Sequence, residues 1–354
     1  MKKILLLLLL SSQVIVAQKA ENVVLITLDG LRWQELFSGA DEELINDEKY
    51  TEGIRNTKEA FWAETPEGRR EKLMPFMWSY IKDKGSILGN KNLGSSVQVK
   101  NSYGFSYPGY NEIFTGYPDE KVNSNDKNYN ENVTFFEFLN QQPKFKGKVA
   151  GFETWGVFPY IINDKRSGVF VNAGNGAVYD TKDAATQQLF DIQEHVKSLG
   201  SERYDFVTYF LAKNYVLQQK PKVLHIGFDE TDEFAHEGKY REYLTSAHNI
   251  DGYIKDLYET MQKMPEYKDK TTFIITTDHG RGDAIKSQWT SHGQQVLDCK
   301  DIWIAAFGPG IEVVQEAANT EPQFQNQIAA TIAHLLGYTY TNGHEIGEVL
   351  QIAK

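Results

Sequence analysis

NVVLITLDGLRW, residues 22–33, sets the reading of the whole chain. Its first seven residues carry no charge and, apart from Asn22, are apolar or β-branched, the pattern of a strand buried on both faces. The run stops at Asp29-Gly30. Two later segments repeat this grammar: KVLHIGF at 222–228 runs into Asp229, Asp232 and His236, and TFIITT at 272–277 runs into Asp278 and His279. Three predicted strands thus end in carboxylates, and two of them also lead into imidazoles. In an open α/β sheet, ligands bind outside the carboxyl ends of the strands, so groups far apart in sequence can converge there.

Runs at 148–152 (KVAGF) and 302–307 (IWIAAF) add two more buried strands. Between the runs, the spacing predicts helices over Pro75–Lys84, Asp183–Leu199 with a stop at Gly200, Ser201–Gln219, Lys239–Lys263, and Gln325–Leu336 with a stop at Gly337. This alternation predicts an α/β fold with a mostly parallel central sheet and helices on both faces. The charged stretch 39–71 and the aromatic, Asn-rich stretch 117–135 fit it poorly and are expected as insertions near the site, forming a cap. The stretch 155–220, lying between core strands, is expected to form a lid.

The chain has 354 residues, 41% apolar and 24% charged, which excludes collagen-like, disordered and multispan membrane classes. Its net charge of −11 becomes −13 when Lys2 and Lys3 leave with a leader, so a surface that coats a nucleic acid polymer is not expected. MKKILLLLLLSSQVIVAQ at 1–18 reads as a basic region, an apolar run to Leu10 and a small Ala17, giving a signal peptide over 1–17. Ser11, Ser12 and Gln13 interrupt that run below the roughly 20 residues a membrane span needs, so no stable membrane anchor is expected. Residues 18–354 then form one domain of a periplasmic or secreted bacterial protein. Cys299, the sole cysteine, permits no internal disulfide.

Asp232 and His236 stand at i, i+4 and share one face of a helical turn. Mixed carboxylate and imidazole donors suit zinc or manganese better than calcium. A lone strand-end Asp is ordinarily a cap or turn residue, whereas three such sites with two His point to metal. A fourth element, NSYGFSYPGYNEIF at 101–114, places Ser106 before Pro108-Gly109 and a helical run, where backbone N–H groups favour an anion. A hydroxyl there becomes a nucleophile once a metal or base lowers its pKa; on its own it would be an N-cap. Tyr103, Phe105, Tyr107 and Tyr110 either stack a nucleobase or pack this segment, and packing is the expectation. Asp229 is a candidate partner orienting a ligating imidazole. Arg32, Asn111 and Arg281 are candidate substrate-binding groups, although an Arg beside a carboxylate is more often its counterion. His195, His225, His248, His334 and His344 are expected to be structural or on the surface.

Asp after the first strand, a hydroxyl before a helix, Asp-x-x-x-His, Asp-His and a late His292 in WTSHGQ (289–294) together resemble the alkaline phosphatase superfamily over nearly all of the chain after the leader. Within it, Ser106-Tyr107-Pro108-Gly109 is similar to the Thr-Phe-Pro-Asn nucleophile segment of type I phosphodiesterases and nucleotide pyrophosphatases. The resemblance implies an alkaline phosphatase-like sandwich and two divalent metal ions, zinc by donor chemistry with manganese as the alternative. One ion would be held by Asp29, Asp278 and His279 and the other by Asp232, His236 and His292, with Ser106 between them as nucleophile and ligand. It implies an exported phosphoesterase that cleaves phosphodiester or pyrophosphate bonds of a small substrate through a phosphoseryl intermediate. Gly109 departs from the family's Asn, which leaves a phosphomonoesterase as the alternative. Tyr110 stands where sulfatases of the superfamily carry Arg, so sulfate ester hydrolysis is not expected. From another class, a periplasmic solute- or metal-binding protein would have the ligands but no use for an activated hydroxyl.

Overall fold

The computed structural model describes residues 19–196 and 202–354. Asn22–Leu28 forms β1, followed by Gly85–Leu88 (β2), Val149–Glu153 (β3), Phe170–Ala173 (β4), Val223–Phe228 (β5), Thr271–Thr276 (β6), Ile304–Phe307 (β7) and Gln315–Glu316 (β8). These eight strands form one sheet in the order β8-β2-β7-β6-β1-β5-β3-β4. Only β7 runs against its neighbours β2 and β6; every other adjacent pair is parallel. β1 therefore sits in the middle, between β6 and β5.

Both faces of β1 are covered, as its sequence requires. Val24, Ile26 and Leu28 enter one core, and Val23 and Leu25 enter the other. Among the helices that flank the sheet and the strand-end loops are Ser106–Thr115 (α1), Asp205–Gln219 (α2), Glu230–His236 (α3), Tyr240–Gln262 (α4) and Ile328–Leu335 (α5). α2 and α4 pack on the first face, and α1 and α5 on the second. In α4 the buried residues Tyr240, Tyr243, Leu244, Ala247, Ile250, Ile254, Leu257 and Met261 recur at helical spacing, so one stripe faces the sheet.

Three expectations change. The charged stretch 39–71 is not outside the core: its helices Glu42–Ile45, Ile54–Phe61 and Pro66–Leu73 bury Leu44, Ile45, Phe61 and Leu73 in the hydrophobic core on the first face. The stretch 155–220 is not a lid over its described length, because it contains the edge strand β4 and the helix α2, which lays Val207, Leu211, Ala212 and Val216 on the first face. The helix predicted over 183–199 runs Ala184–His195, while its predicted stop at Gly200 and the predicted start at Ser201 lie outside the described residues. So does the leader at 1–17. Among the described residues, no helix is long and apolar enough to cross a membrane.

Candidate active site

Register brings the strand ends level. Leu28 pairs with Phe228 and Thr27 with Thr276, so the loops that begin at Asp29, Asp229 and Asp278 leave the sheet side by side. Asp29, Asp278 and His279 each offer a ligand atom within 4.8 Å of the others, and Asp232, His279 and His292 do the same. His279 Nε2 is common to the geometry of both groups, 3.3 Å from Asp29 Oδ1, 3.5 Å from Asp278 Oδ2 and 3.9 Å from Asp232 Oδ1. His236 Nε2 joins from the last turn of α3, 3.0 Å from Asp232 Oδ2 and 2.9 Å from His292 Nε2. Asp29, Asp232, Asp278 and His279 are buried; the His236 side chain keeps 45% exposure and marks the open side.

This donor set fits divalent cations. Asp29 Oδ1 and Asp278 Oδ2 are buried without a hydrogen-bond partner, a costly state for carboxylate oxygens unless a cation faces them. The imidazoles are also turned correctly. Nδ1 of His279 lies 3.0 Å from the Gly280 carbonyl and Nδ1 of His292 3.1 Å from the Gly104 carbonyl. A carbonyl only accepts, so each Nδ1 carries the proton and each Nε2 presents its lone pair to the carboxylates. Burial pushes His279 down to about 4 and His292 down to about 3, which keeps both neutral near pH 7. Burial raises Asp29 to about 7 and Asp278 well above the usual range, with neighbouring carboxylates adding to each effect. At Asp232 burial pushes the same way but is outweighed, first by Arg281 and then by His292, so this carboxyl is held well below its ordinary value. A bound divalent cation reverses the penalty on the raised pair.

Ser106 is the first residue of α1, and its Oγ lies 3.5 Å from His279 Nε2. The Asn-rich stretch fastens that first turn: the Tyr107 N–H donates to Asn125 Oδ1 at 3.0 Å, and the Tyr107 hydroxyl donates to the Asn128 carbonyl at 2.5 Å. Gly109 rests directly on the ligand loop, since a Cβ there would stand 2.6 Å from the Asp278 carbonyl oxygen. Packing therefore demands glycine where the resembling phosphodiesterases have Asn. Gly30 is constrained similarly, with φ of +60° and a Cβ position 2.6 Å from Asp232 Oδ1.

The candidate substrate groups are not all brought to this point. The Arg32 guanidinium is bound to Glu35, which also accepts from the Tyr240 hydroxyl at 3.0 Å. Asn111 is buried on another side of α1, donating to the Tyr117 carbonyl at 2.9 Å and accepting from Asn130 and Asn132 at 3.0 and 3.2 Å. Arg281 does reach the cluster, but as the counterion of Asp232, with its remaining donors on the carbonyls of Trp289 and Thr290 at 2.8 Å each. Asp229 has a buried oxygen without a partner, and its backbone N–H donates to Asp205 Oδ1 at 3.0 Å. Of the aromatic run, Tyr107 and Tyr110 are core residues, while Tyr103 and Phe105 remain half-buried beside Ser106. Tyr110 has a role that its spacing does not reveal: its hydroxyl donates to Asp29 Oδ2 at 3.0 Å across 81 residues of sequence.

An α/β sheet that masses carboxylates and imidazoles at the carboxyl ends of three adjacent strands, beside a helix-start serine, has the architecture of a metal-dependent enzyme. The profile of the metalloenzyme superfamily matches residues 126–340, and the chain belongs to that superfamily. Comparison with curated protein sequences gives no match. Among solved structures, the chain is similar to wild-type alkaline phosphatase PafA at a TM-score of 0.62 and 11% identity, covering 95% of this chain and 99% of that one. It is similar to the lipoteichoic acid synthase LtaP from Listeria monocytogenes at a TM-score of 0.53 and 13% identity, covering 95% and 76%. It is also similar to BT1596, a 2-O GAG sulfatase, at a TM-score of 0.55 and 10% identity, covering 94% and 73%. The shared architecture is the alkaline phosphatase-like fold.

Proposed function

We propose that the protein is an exported phosphoesterase that hydrolyses phosphodiester or pyrophosphate bonds of small substrates, with Ser106 as its nucleophile. One observation carries this reading: a serine hydroxyl at the start of a ten-residue helix lies 3.5 Å from His279 Nε2, within both candidate ligand groups. Metal or solute binding alone gives no reason for a hydroxyl at that point. Two divalent ions, zinc by donor chemistry with manganese as the alternative, held by Asp29, Asp278 and His279 and by Asp232, His236 and His292, would lower the serine pKa and neutralise the attacking and leaving oxygens. Ser106 Oγ bonds to phosphorus as the bond to the leaving oxygen breaks, and water then cleaves the phosphoseryl intermediate and frees the serine. The carbonyls of Gly280 and Gly104 keep the proton of each imidazole on Nδ1 throughout.

The preference for diesters is supported by the state of the two flanking arginines. A monoester dianion carries one more negative charge than a diester and calls for a fixed cation beyond the metals. Arg32 is committed to Glu35 and Arg281 to Asp232. Sulfate esters are disfavoured because Tyr110, not Arg, follows Ser106 in the helix and turns its hydroxyl to Asp29. Export rests on the leader read at residues 1–17.

The test uses a chromogenic diester and monoester of one leaving group, each with zinc, manganese or chelator, on the wild type and on Arg32→Ala and Arg281→Ala. A diester kcat/KM about tenfold or more above the monoester value, lost on chelation, is expected. A monoester preference of that size that collapses in either arginine variant overturns the diester assignment, and metal binding without turnover of either ester overturns the enzyme.

A further inference from the structure

The two oxygens of Asp29 are not equivalent. Oδ1 is buried without a hydrogen-bond partner and lies 3.3 Å from His279 Nε2, whereas Oδ2 accepts from the Tyr110 hydroxyl at 3.0 Å. A free carboxylate between metal positions can bind through either oxygen, through both, or as a bridge. Here one oxygen is already engaged, by a donor that carries no charge and does not compete for the metal position. Arg281 on Asp232 is a different arrangement, a full cation paired with the carboxylate.

Behind Tyr110 stands a line of buried groups on the second face of the sheet. The Tyr110 oxygen faces the Thr27 hydroxyl on β1. Thr27 Oγ1 lies 3.1 Å from His225 Nε2 on β5, and His225 Nδ1 lies 3.0 Å from Glu153 Oε1 at the end of β3. Donor counting gives this line a direction. A carboxylate only accepts, so Tyr110 donates to Asp29. With Thr27 donating to the Tyr110 oxygen, His225 would donate from Nε2 to Thr27, and Nδ1 would be left as an acceptor for a protonated Glu153. Burial favours this proton distribution, holding His225 down at about 3 and Glu153 well above the usual carboxylate range. Phe114, Phe136 and Phe158 wall in the imidazole at ring separations of 5.0, 6.0 and 5.3 Å.

We propose that Tyr110 is a positioning residue that commits Asp29 to metal ligation through Oδ1 alone, and that Glu153, His225 and Thr27 hold the Tyr110 hydroxyl in its donating orientation. The inference rests on the reading of Asp29 as a ligand. The Tyr110 hydroxyl delivers its proton to Oδ2, so the negative charge there is stabilised without a second cation.

The experiment titrates zinc into the full chain, stripped of metal, against a competing chromogenic chelator, and follows thermal unfolding of the same samples. Tyr110→Phe keeps the ring in its aromatic setting, and one of the two zinc affinities should fall about 10- to 100-fold with little change in Tm. Glu153→Gln should retain the wild-type affinity, because its amide still donates to His225 Nδ1. Glu153→Leu should weaken the same zinc site. A purely packing role would lower Tm in these variants and leave zinc affinity alone, which would overturn the proposal. So would equal weakening in Glu153→Gln and Glu153→Leu, since the amide keeps a hydrogen-bonding partner for His225 Nδ1 and the leucine does not. Asp29→Ala separates the two layers: unchanged zinc binding in that variant overturns the ligand reading and the inference with it, whereas loss of an ion there with full affinity in Tyr110→Phe overturns the inference alone.

Discussion

β5 serves two buried carboxylate and imidazole assemblies that share residue types and little else. In mid-strand, His225 meets Glu153 and Thr27 against a wall of phenylalanines. Beyond the strand end, Asp232 and His236 meet His279 and His292 in the loop space. A mid-strand side chain points at a sheet face, where a helix covers it, and both ring nitrogens of His225 find partners within the core. A strand-end side chain points into a cleft between loops, and its oxygens and lone pairs converge with those of the adjacent strands. The difference teaches that position along the strand, more than composition, separates a neutral, internally satisfied assembly from one whose free lone pairs suit a cation.

The contrast can be broken most sharply at the serine. Ser106→Ala should lower turnover by about 10⁴-fold or more, because a covalent nucleophile is lost, while metal content and Tm stay near wild type. Steady-state kinetics beside elemental analysis measures both, and retention of more than about a tenth of the activity would mean that another group attacks.

A smaller effect sharpens the strand-end side. In the proposed ligand sets His279 belongs to one ion and His292 to the other, so His279→Ala and His292→Ala should each lose about one of two ions per chain, from different sites. A single ion in the wild type, or loss of both ions in either variant, would refute two separate ligand sets.

The smallest effect belongs to the mid-strand side. Burial lowers His225 from 6.5 to about 3, so the unfolded chain binds the extra proton first as pH falls. The stability that the neutral imidazole contributes is fully present above 6.5 and is lost on descending to about 3. Glu153, raised by burial, has the opposite slope as pH climbs through the carboxylate range. Urea midpoints measured across that acid window should therefore decline less steeply in His225→Asn than in wild type; an unchanged slope would show that the imidazole is not held neutral by the fold.

Much of this is legible in the sequence because burial on both faces leaves a plain mark. The runs at 22–28, 222–228 and 272–277 correspond to β1, β5 and β6 to within one residue at each end, and their acidic ends point to one place. β4 is harder to read, since Phe170–Ala173 is a short edge strand, half-buried and holding Asn172. In 39–71 the charges of three short helices mask the few apolar residues that reach the core. The antiparallel course of β7 leaves no trace in IWIAAF, because strand direction is a property of the connection and not of the run. Arg32 and Asn111 lie near motifs in sequence but turn away in space, and no local pattern encodes the contact of Tyr110 with Asp29.

The bare backbone at Gly109 has a mechanical consequence. The helix that carries Ser106 bears on the main chain of Asp278 with no side chain between them, so the spacing of the serine helix and the Asp278 loop is gauged by the contact radius of two backbones. Rotamer changes cannot alter such a gauge, and a shift transmitted through the sheet carries both parts together. Repacking of the surrounding core thus leaves the serine helix at the same distance from the Asp278 loop.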